Sequence, residues 1–301
     1  MNTIQRGYIL AAIAYGLWGV LPIYWKLMEP ASSGEVLAHR MIWSLAVCAV
    51  LVPFLGQRQQ FLKVVCDKSA LLRLALSGFM VGLNWLTYIW GVQNNYIIET
   101  SLGYFMCPLF TVGFGILILG ECLGWRGWFA ILMALIGVAW PLISLGYLPW
   151  IALVLAGTFS VYSLVRKTVR AESLVGLSIE TCFMFIPAFC YLIYLYSQGQ
   201  MVFFHHDWKI DCLLIGAGAM TSLPLLLFAS AARVLPLSSI GLMQYIAPLL
   251  QLTCGVVIYA EPFTDSHQWT FGWIWLALML YSWEVVSKRN ESKRLQNFTT
   301  S

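Results

Sequence analysis

Arg40 and Glu180 are ionisable side chains set inside runs of apolar residues. A charge there costs about 2.5–3.5 kcal/mol on insertion scales, so each one asks for a function. Neither stands by itself. His39 precedes Arg40, and Glu35 lies four residues before His39 on the same helical face, within reach of a pair. Glu99, where a later apolar run begins, is a partner for Arg40, while Arg166 and Lys167 are partners for Glu180. An arginine facing a cavity attracts an anionic group on a substrate. A carboxylate held away from water is a place where proton uptake can be coupled to movement. A second reading stands beside this one: interfacial charges that snorkel to headgroups, or pairs that fix helix register.

A second, uncharged set falls near the middle of the apolar runs: Asn84, Trp85, Tyr88, Tyr104, Gln244 and Tyr245. Amides donate and accept without net charge, and Tyr or Trp offers an apolar plate with a polar edge. Together they suit a pocket for an amphipathic organic molecule. Singly, each reads as an interhelical hydrogen bond, worth about 0.6 kcal/mol in membranes. With His39 and Arg40 they form the candidate substrate-binding set. Glu35, Glu99, Glu180, Pro108 and Pro248 form the candidate coupling or gating set. His205-His206-Asp207 suggests a metal, but no further ligand accompanies it, and neither a metal nor a cofactor is expected.

The elements that must position these residues are helices. The stretch from Glu99 to Glu121 is long enough to cross a 30 Å hydrocarbon core, since a helix needs roughly 20 apolar residues to do so. It carries Pro108 near its middle and stops at Glu121. Ser239 to Glu261 repeats the design, with Pro248 near the centre and Glu261 at the stop, offset by 140 residues. At the same offset Gly78 and Met80 match Gly218 and Met220, Lys26 matches Arg166, Arg40 falls on Glu180, and Tyr104 on Gln244. The prolines each remove one helical hydrogen bond and are expected to kink their helices, either as a rocking element or without a gating role.

Ten apolar segments can be marked: Gly7 to Leu27, Val36 to Phe54, Leu72 to Val92, Ser101 to Leu119 and Trp125 to Ile143, then Leu148 to Val165, Val175 to Tyr196, Cys212 to Ala231, Leu237 to Tyr259 and Trp269 to Val286. Residues 1–145 and 146–287 then form two five-helix units, and 288–301 a solvated tail. Five is odd, so the second unit enters the membrane inverted, and inverted repeats place a site near the midplane where the halves meet. The expected fold is therefore an all-α membrane protein of ten transmembrane helices, two inverted five-helix repeats around a central cavity.

Composition agrees. The chain is 60% hydrophobic and 10% charged, whereas soluble domains carry about 25% charged residues. Its runs are continuous rather than alternating, which argues against a β-barrel. Eight scattered cysteines make neither a disulfide framework nor a zinc site. The net charge of +4 sits in short loops and gives no reason to expect nucleic acid. With the amino terminus in the cytoplasm, Arg6, Arg58, Lys63, Arg73, Arg126, Arg166, Lys167, Arg233 and Lys288 lie inside and only Lys26 and Lys209 outside, so both termini are expected in the cytoplasm.

Ser101 to Glu121 with its SLGYF…P…GE pattern, the His39-Arg40 and Asn84-Trp85 pairs, Gln244 to Pro248, and the LVRK end of the sixth segment together resemble the EamA-type permeases of the drug/metabolite transporter superfamily, and within them the RarD group. The likeness covers nearly the whole chain, although Pro262 follows Glu261 here and the second half lacks a His-Arg pair. It implies a ten-helix carrier of the bacterial inner membrane with a central cavity and a small-molecule substrate. The chloramphenicol-sensitivity label of the RarD group does not name that substrate. A secondary transporter by alternating access, with proton coupling as an option, is thus the expected function. A passive channel or facilitator is the alternative. An intramembrane enzyme is disfavoured, because no HExxH, GxSxG, paired aspartates or phosphate loop occurs. Monomer and homodimer both stay open.

Overall fold

A computed structural model describes residues 3–28, 30–93, 96–146, 148–259, 265, 268–270, 272–281 and 283. The helices in chain order are α1 (Thr3–Lys26), α2 (Ser33–Phe54), α3 (Arg58–Cys66), α4 (Lys68–Gln93), α5 (Ile97–Leu117), α6 (Trp125–Leu145), α7 (Trp150–Thr168), α8 (Ser173–Ser197), α9 (Trp208–Val234), α10 (Leu237–Met243) and α11 (Ile246–Tyr259). Residues 268–270 and 272–281 are also helical. No strand occurs among the described residues, as expected where lipid cannot satisfy backbone N–H and C=O groups and helices satisfy their own.

Seven helical stretches are long and apolar enough to span a membrane: Thr3–Lys26, Ser33–Phe54, Lys68–Tyr88, Trp150–Thr168, Ser173–Ser197, Trp208–Val234 and Leu237–Ile258. Leu102–Leu117 and Trp125–Trp140 are shorter apolar helices, and part of the tenth expected segment lies outside the described residues. The chain is an all-α protein with multiple membrane spans. Local signals set several ends: Ser32 accepts the Glu35 N–H at the start of α2, Asp207 caps α9, and Gly146 closes α6 in the left-handed region at φ 71°.

Packing is dominated by contacts between the first five apolar segments and the last five. α5 lies on α7 and α10, α2 on α8 and α9, α1 on α9 and α11, and α4 on α7 and α8. α6 sits at the periphery, where Trp269 Nε1 donates to Ile136 O and Thr270 Oγ1 to Gly137 O. The crossings use small residues, which let membrane helices approach closely. At the α2–α9 crossing a Cβ on Gly218 would overlap the backbone of Trp43, and Ser44 Oγ donates to Gly218 O at 3.1 Å. Gly218→Ala will therefore lower stability by about 1–3 kcal/mol through overpacking, read as thermal unfolding in detergent. An unchanged midpoint would mean that the crossing is looser than described.

Two ends of the bundle can be told apart. The Lys26 end holds the end of α1, the start of α2 and the α8–α9 loop. The Arg166 end holds the end of α7 and the starts of α8 and α10.

Candidate substrate site

A cavity of about 760 Å³ opens among the helices, within the size range of small-ligand pockets. It reaches from Tyr15, Phe159 and Gln244 deep in the bundle to Lys26, Met28 and Ser33 at the Lys26 end. Six of the eight expected substrate-binding residues line it, namely Arg40, Asn84, Trp85, Tyr88, Tyr104 and Gln244, and so does Pro248.

Arg40 is held on three sides. Its guanidinium carbon lies 4.5 Å from the Trp25 ring centroid and 4.6 Å from that of Trp85, and Nε donates to Thr221 Oγ1 at 3.0 Å. Stacking against indoles is what a planar, delocalised cation does well. Among the described residues no carboxylate comes within 4.0 Å of Arg40, and its two terminal nitrogens have no protein partner. They are the donors left for a ligand.

Asn84 supplies the complementary acceptor. Its amide nitrogen donates to Leu155 O at 2.8 Å and to Thr158 Oγ1 at 3.0 Å; Thr158 in turn donates to Val154 O, so its oxygen accepts from Asn84. This arrangement fixes the amide orientation and leaves the buried Asn84 Oδ1 with no protein partner among the described residues. Tyr88 and Tyr104 meet edge to face, 5.3 Å apart, and give an aromatic wall.

Towards the Arg166 end the path is blocked. Tyr15, Phe159, Tyr162 and Phe228 pack as an aromatic plug, with Tyr162 stacked on Phe228 at 5.7 Å. Behind it Arg166 and Glu180 form an ion pair at 3.5 Å, both about 1% exposed. Ser77 Oγ donates to Glu180 at 2.6 Å, and Arg166 Nη2 donates to Ser173 O at 3.0 Å. Gly176 makes room for this guanidinium, since any Cβ there would strike Arg166 Nη1. Lys167 Nζ donates to Leu235 O, and Glu121 accepts from Leu237 N (2.6 Å), Ser238 N (2.8 Å) and Ser238 Oγ (2.7 Å). The α5–α6 loop is thereby tied to the start of α10.

Several sequence expectations need correction. His39 does not line the cavity: consecutive helical residues point about 100° apart, so with Arg40 turned inward His39 faces Phe203 and Trp43 instead. Tyr245 is fully buried off the cavity for the same reason, next to the inward-facing Gln244. Glu35 does not pair with His39. It accepts from Val202 N at 2.9 and 3.1 Å and from Phe203 N at 3.0 Å, because two amides of the α8–α9 loop outbid a ring that already bonds Trp43. Glu35→Gln will accordingly weaken a structural tie and cost about 1–3 kcal/mol of stability, read as thermal unfolding in detergent, and an unchanged midpoint would show the tie to be dispensable.

Pro248 does interrupt its span: the helix breaks at Gln244 and Tyr245, in the turn before the proline, which has no N–H to donate to Gln244 O, and α11 restarts at Ile246. Pro108 does lie inside α5, buried against Gly241 of α10. The side chain of Glu99 lies outside the described residues, as does Glu261.

A model of the EamA-like transporter family matches residues 5–143. The Protein RarD of Streptomyces exfoliatus is 36% identical, covering 97% of this chain and 93% of that protein. An uncharacterized transporter of Vibrio cholerae is 38% identical, covering 96% of each chain. The chain belongs to the EamA-like transporter family, as a RarD-like permease. A crystal structure 16% identical to this permease, covering 92% of it and 96% of that chain, superposes with a TM-score of 0.68 and shares its fold. Family membership makes the permease a multi-pass membrane transporter of the drug/metabolite superfamily and points away from catalysis.

The permease site also uses residues that the sequence did not single out. Trp25 completes the indole pair around Arg40, and Thr221 orients the guanidinium from α9. Gln251 lines the cavity and donates to Trp18 O at 3.0 Å. Trp and Thr are unexceptional in membrane helices, so only Gln251, a second amide one turn after Pro248, carried a signal of its own.

Proposed function

We propose that this permease is a secondary carrier that works by alternating access and takes a small organic molecule with an anionic group and an apolar body. The observation that carries the reading is the one-sided cavity. It is lined by Arg40, Asn84 and aromatic walls, reaches the Lys26 end, and is closed towards the Arg166 end by a plug and polar latches. Arg40 would hold the anionic group, Asn84 Oδ1 would accept from an N–H or O–H of the substrate, and Trp25, Trp85, Tyr88 and Tyr104 would cover its apolar part.

Inverted repeats account for this asymmetry. Exchanging the halves maps the main packing pairs onto themselves: α5 on α7 becomes the α11 segment on α1, α1 on α9 becomes α7 on α4, and α2 on α9 becomes α8 on α4. The family model's span of residues 5–143 coincides with the first proposed unit. At the Arg166 end the repeat positions hold Arg166 and Glu180, which attract and close. At the other end the equivalents are Lys26 and Arg40, two cations in place of a cation and a carboxylate, so that latch has no counterpart there. The excess of basic loops at the Arg166 end puts it in the cytoplasm, with both termini. The cavity then faces outward.

Glu180 is the proposed coupling residue, since protonation would release Arg166 and loosen the inner seal. A carrier shows saturable, counter-substrate-accelerated flux in proteoliposomes. Linear, non-saturating flux would instead favour a pore.

A further inference from the structure

Outside the substrate cavity a second groove of about 350 Å³ lies between α2, α8 and the α8–α9 loop. Its walls include Ile42, Trp43, Phe189, Leu192, Ile193 and Phe203, and its titratable side chains are His39 and Tyr196. The surrounding face is apolar and open, with Ile186 at 65% and Ile193 at 54% exposed, so in a membrane-spanning chain it is turned to lipid. Glu35 fixes the loop that forms one wall by accepting from Val202 N and Phe203 N.

His39 is 2% exposed, and its hydrogen-bonding settles its proton. Trp43 Nε1 donates to His39 Nδ1 at 3.1 Å, and an indole nitrogen can only donate. Nδ1 is therefore the bare nitrogen of a neutral ring, and the hydrogen sits on Nε2. That Nε2 is buried and has no protein partner among the described residues. A buried donor without an acceptor is costly, which marks the groove as a place for a ligand that brings one.

Depth narrows the class. His39 lies six residues after Ser33, the first residue of α2, or about 9 Å along the axis at 1.5 Å per residue. The polar zone on each side of a bilayer is roughly 5–7 Å thick, so with the start of α2 taken as its outer surface His39 falls just beneath it, where ester carbonyls join the acyl chains. We propose that this groove binds a bilayer phospholipid, with one acyl chain against Phe189 and Ile193 and its ester carbonyl accepting from His39 Nε2. The site is distinct from the substrate cavity, which His39 does not line.

The full-length protein in detergent is photolabelled with a phosphatidylglycerol that carries a diazirine on one acyl chain. Unlabelled dioleoyl phosphatidylglycerol competes, or its dialkyl ether analogue, which lacks the carbonyls. Labelling is expected on the peptides carrying Phe189, Ile193 and Phe203, with the ether needed at a concentration on the order of tenfold higher. His39→Phe should keep the labelling and erase the preference. Leu192→Trp, which fills the groove and leaves His39 alone, should cut labelling about tenfold and serves if the first variant does not fold. Equal competition by the two lipids in the unmodified protein, or labels placed elsewhere, would overturn the proposal. So would competition by water-soluble organic anions, which would make the groove a substrate path.

Discussion

Arg40→Ala is expected to abolish the preference for anionic ligands that the proposed function requires. In the unmodified protein the guanidinium is pre-set between two indoles and steered by Thr221, with its terminal nitrogens left for a ligand. Removing one partner of a desolvated, hydrogen-bonded charge pair costs about 2–5 kcal/mol, roughly 30-fold to several thousand-fold in affinity. The check is ligand-induced thermal stabilisation across a panel of small aromatic carboxylates and their neutral amides. The unmodified protein should favour acids over amides, and the variant should bind both alike and weakly. Arg40→Lys should recover little, because an ammonium is a compact point charge that neither stacks between two rings nor offers a planar fork. A variant that still separates acids from amides would remove Arg40 from the binding role.

The second large effect concerns the inner latch. Arg166→Ala leaves Glu180 buried with only Ser77 for company, and breaking a buried pair from one side costs about 3–5 kcal/mol. Thermal unfolding should show that loss, while Arg166→Met combined with Glu180→Leu should restore most of it, since an apolar pair of similar volume leaves no charge stranded. Transport separates the roles further. Glu180→Gln should insert and bind substrate yet become insensitive to an imposed proton gradient. Full stability in the single variant would show the pair to be dispensable, and an unchanged gradient response would remove the coupling role.

Much of the fold could be read along the chain because lipid leaves the backbone few choices. Continuous apolar runs had to be helices, and the described parts of the ten segments are mainly helical, apart from a few end residues and the break at Gln244 and Tyr245. The match of Gly78 to Gly218 also had a spatial meaning, since each packs against the backbone of a crossing helix, Glu180 in one case and Trp43 in the other. Arg40, Asn84, Trp85, Tyr88, Tyr104 and Gln244 stood out as polar or amphipathic in apolar surroundings, and the cavity gathers them. What stayed hidden was phase and distance. A sequence says that His39 and Arg40 point different ways but not which one faces inward. Glu121 read as a helix stop, and its hold on Leu237 and Ser238, more than a hundred residues away, depends on the folded bundle. Pro248 announced an interruption of the ninth segment, but not that the helix would break fully at Gln244 and Tyr245.

The central claim is that one cleft is offered to the two sides of the membrane in turn. In a cysteine-free background, Gln251→Cys sits in the open cavity and Ser163→Cys lies fully buried on the far side of the plug. Each is labelled in proteoliposomes with a membrane-impermeant maleimide, with and without a transported anion. The account predicts opposite changes: ligand that shifts the carrier inward protects Gln251→Cys and exposes Ser163→Cys. Both positions opening together, or Ser163→Cys never reacting under conditions of measured flux, would contradict it.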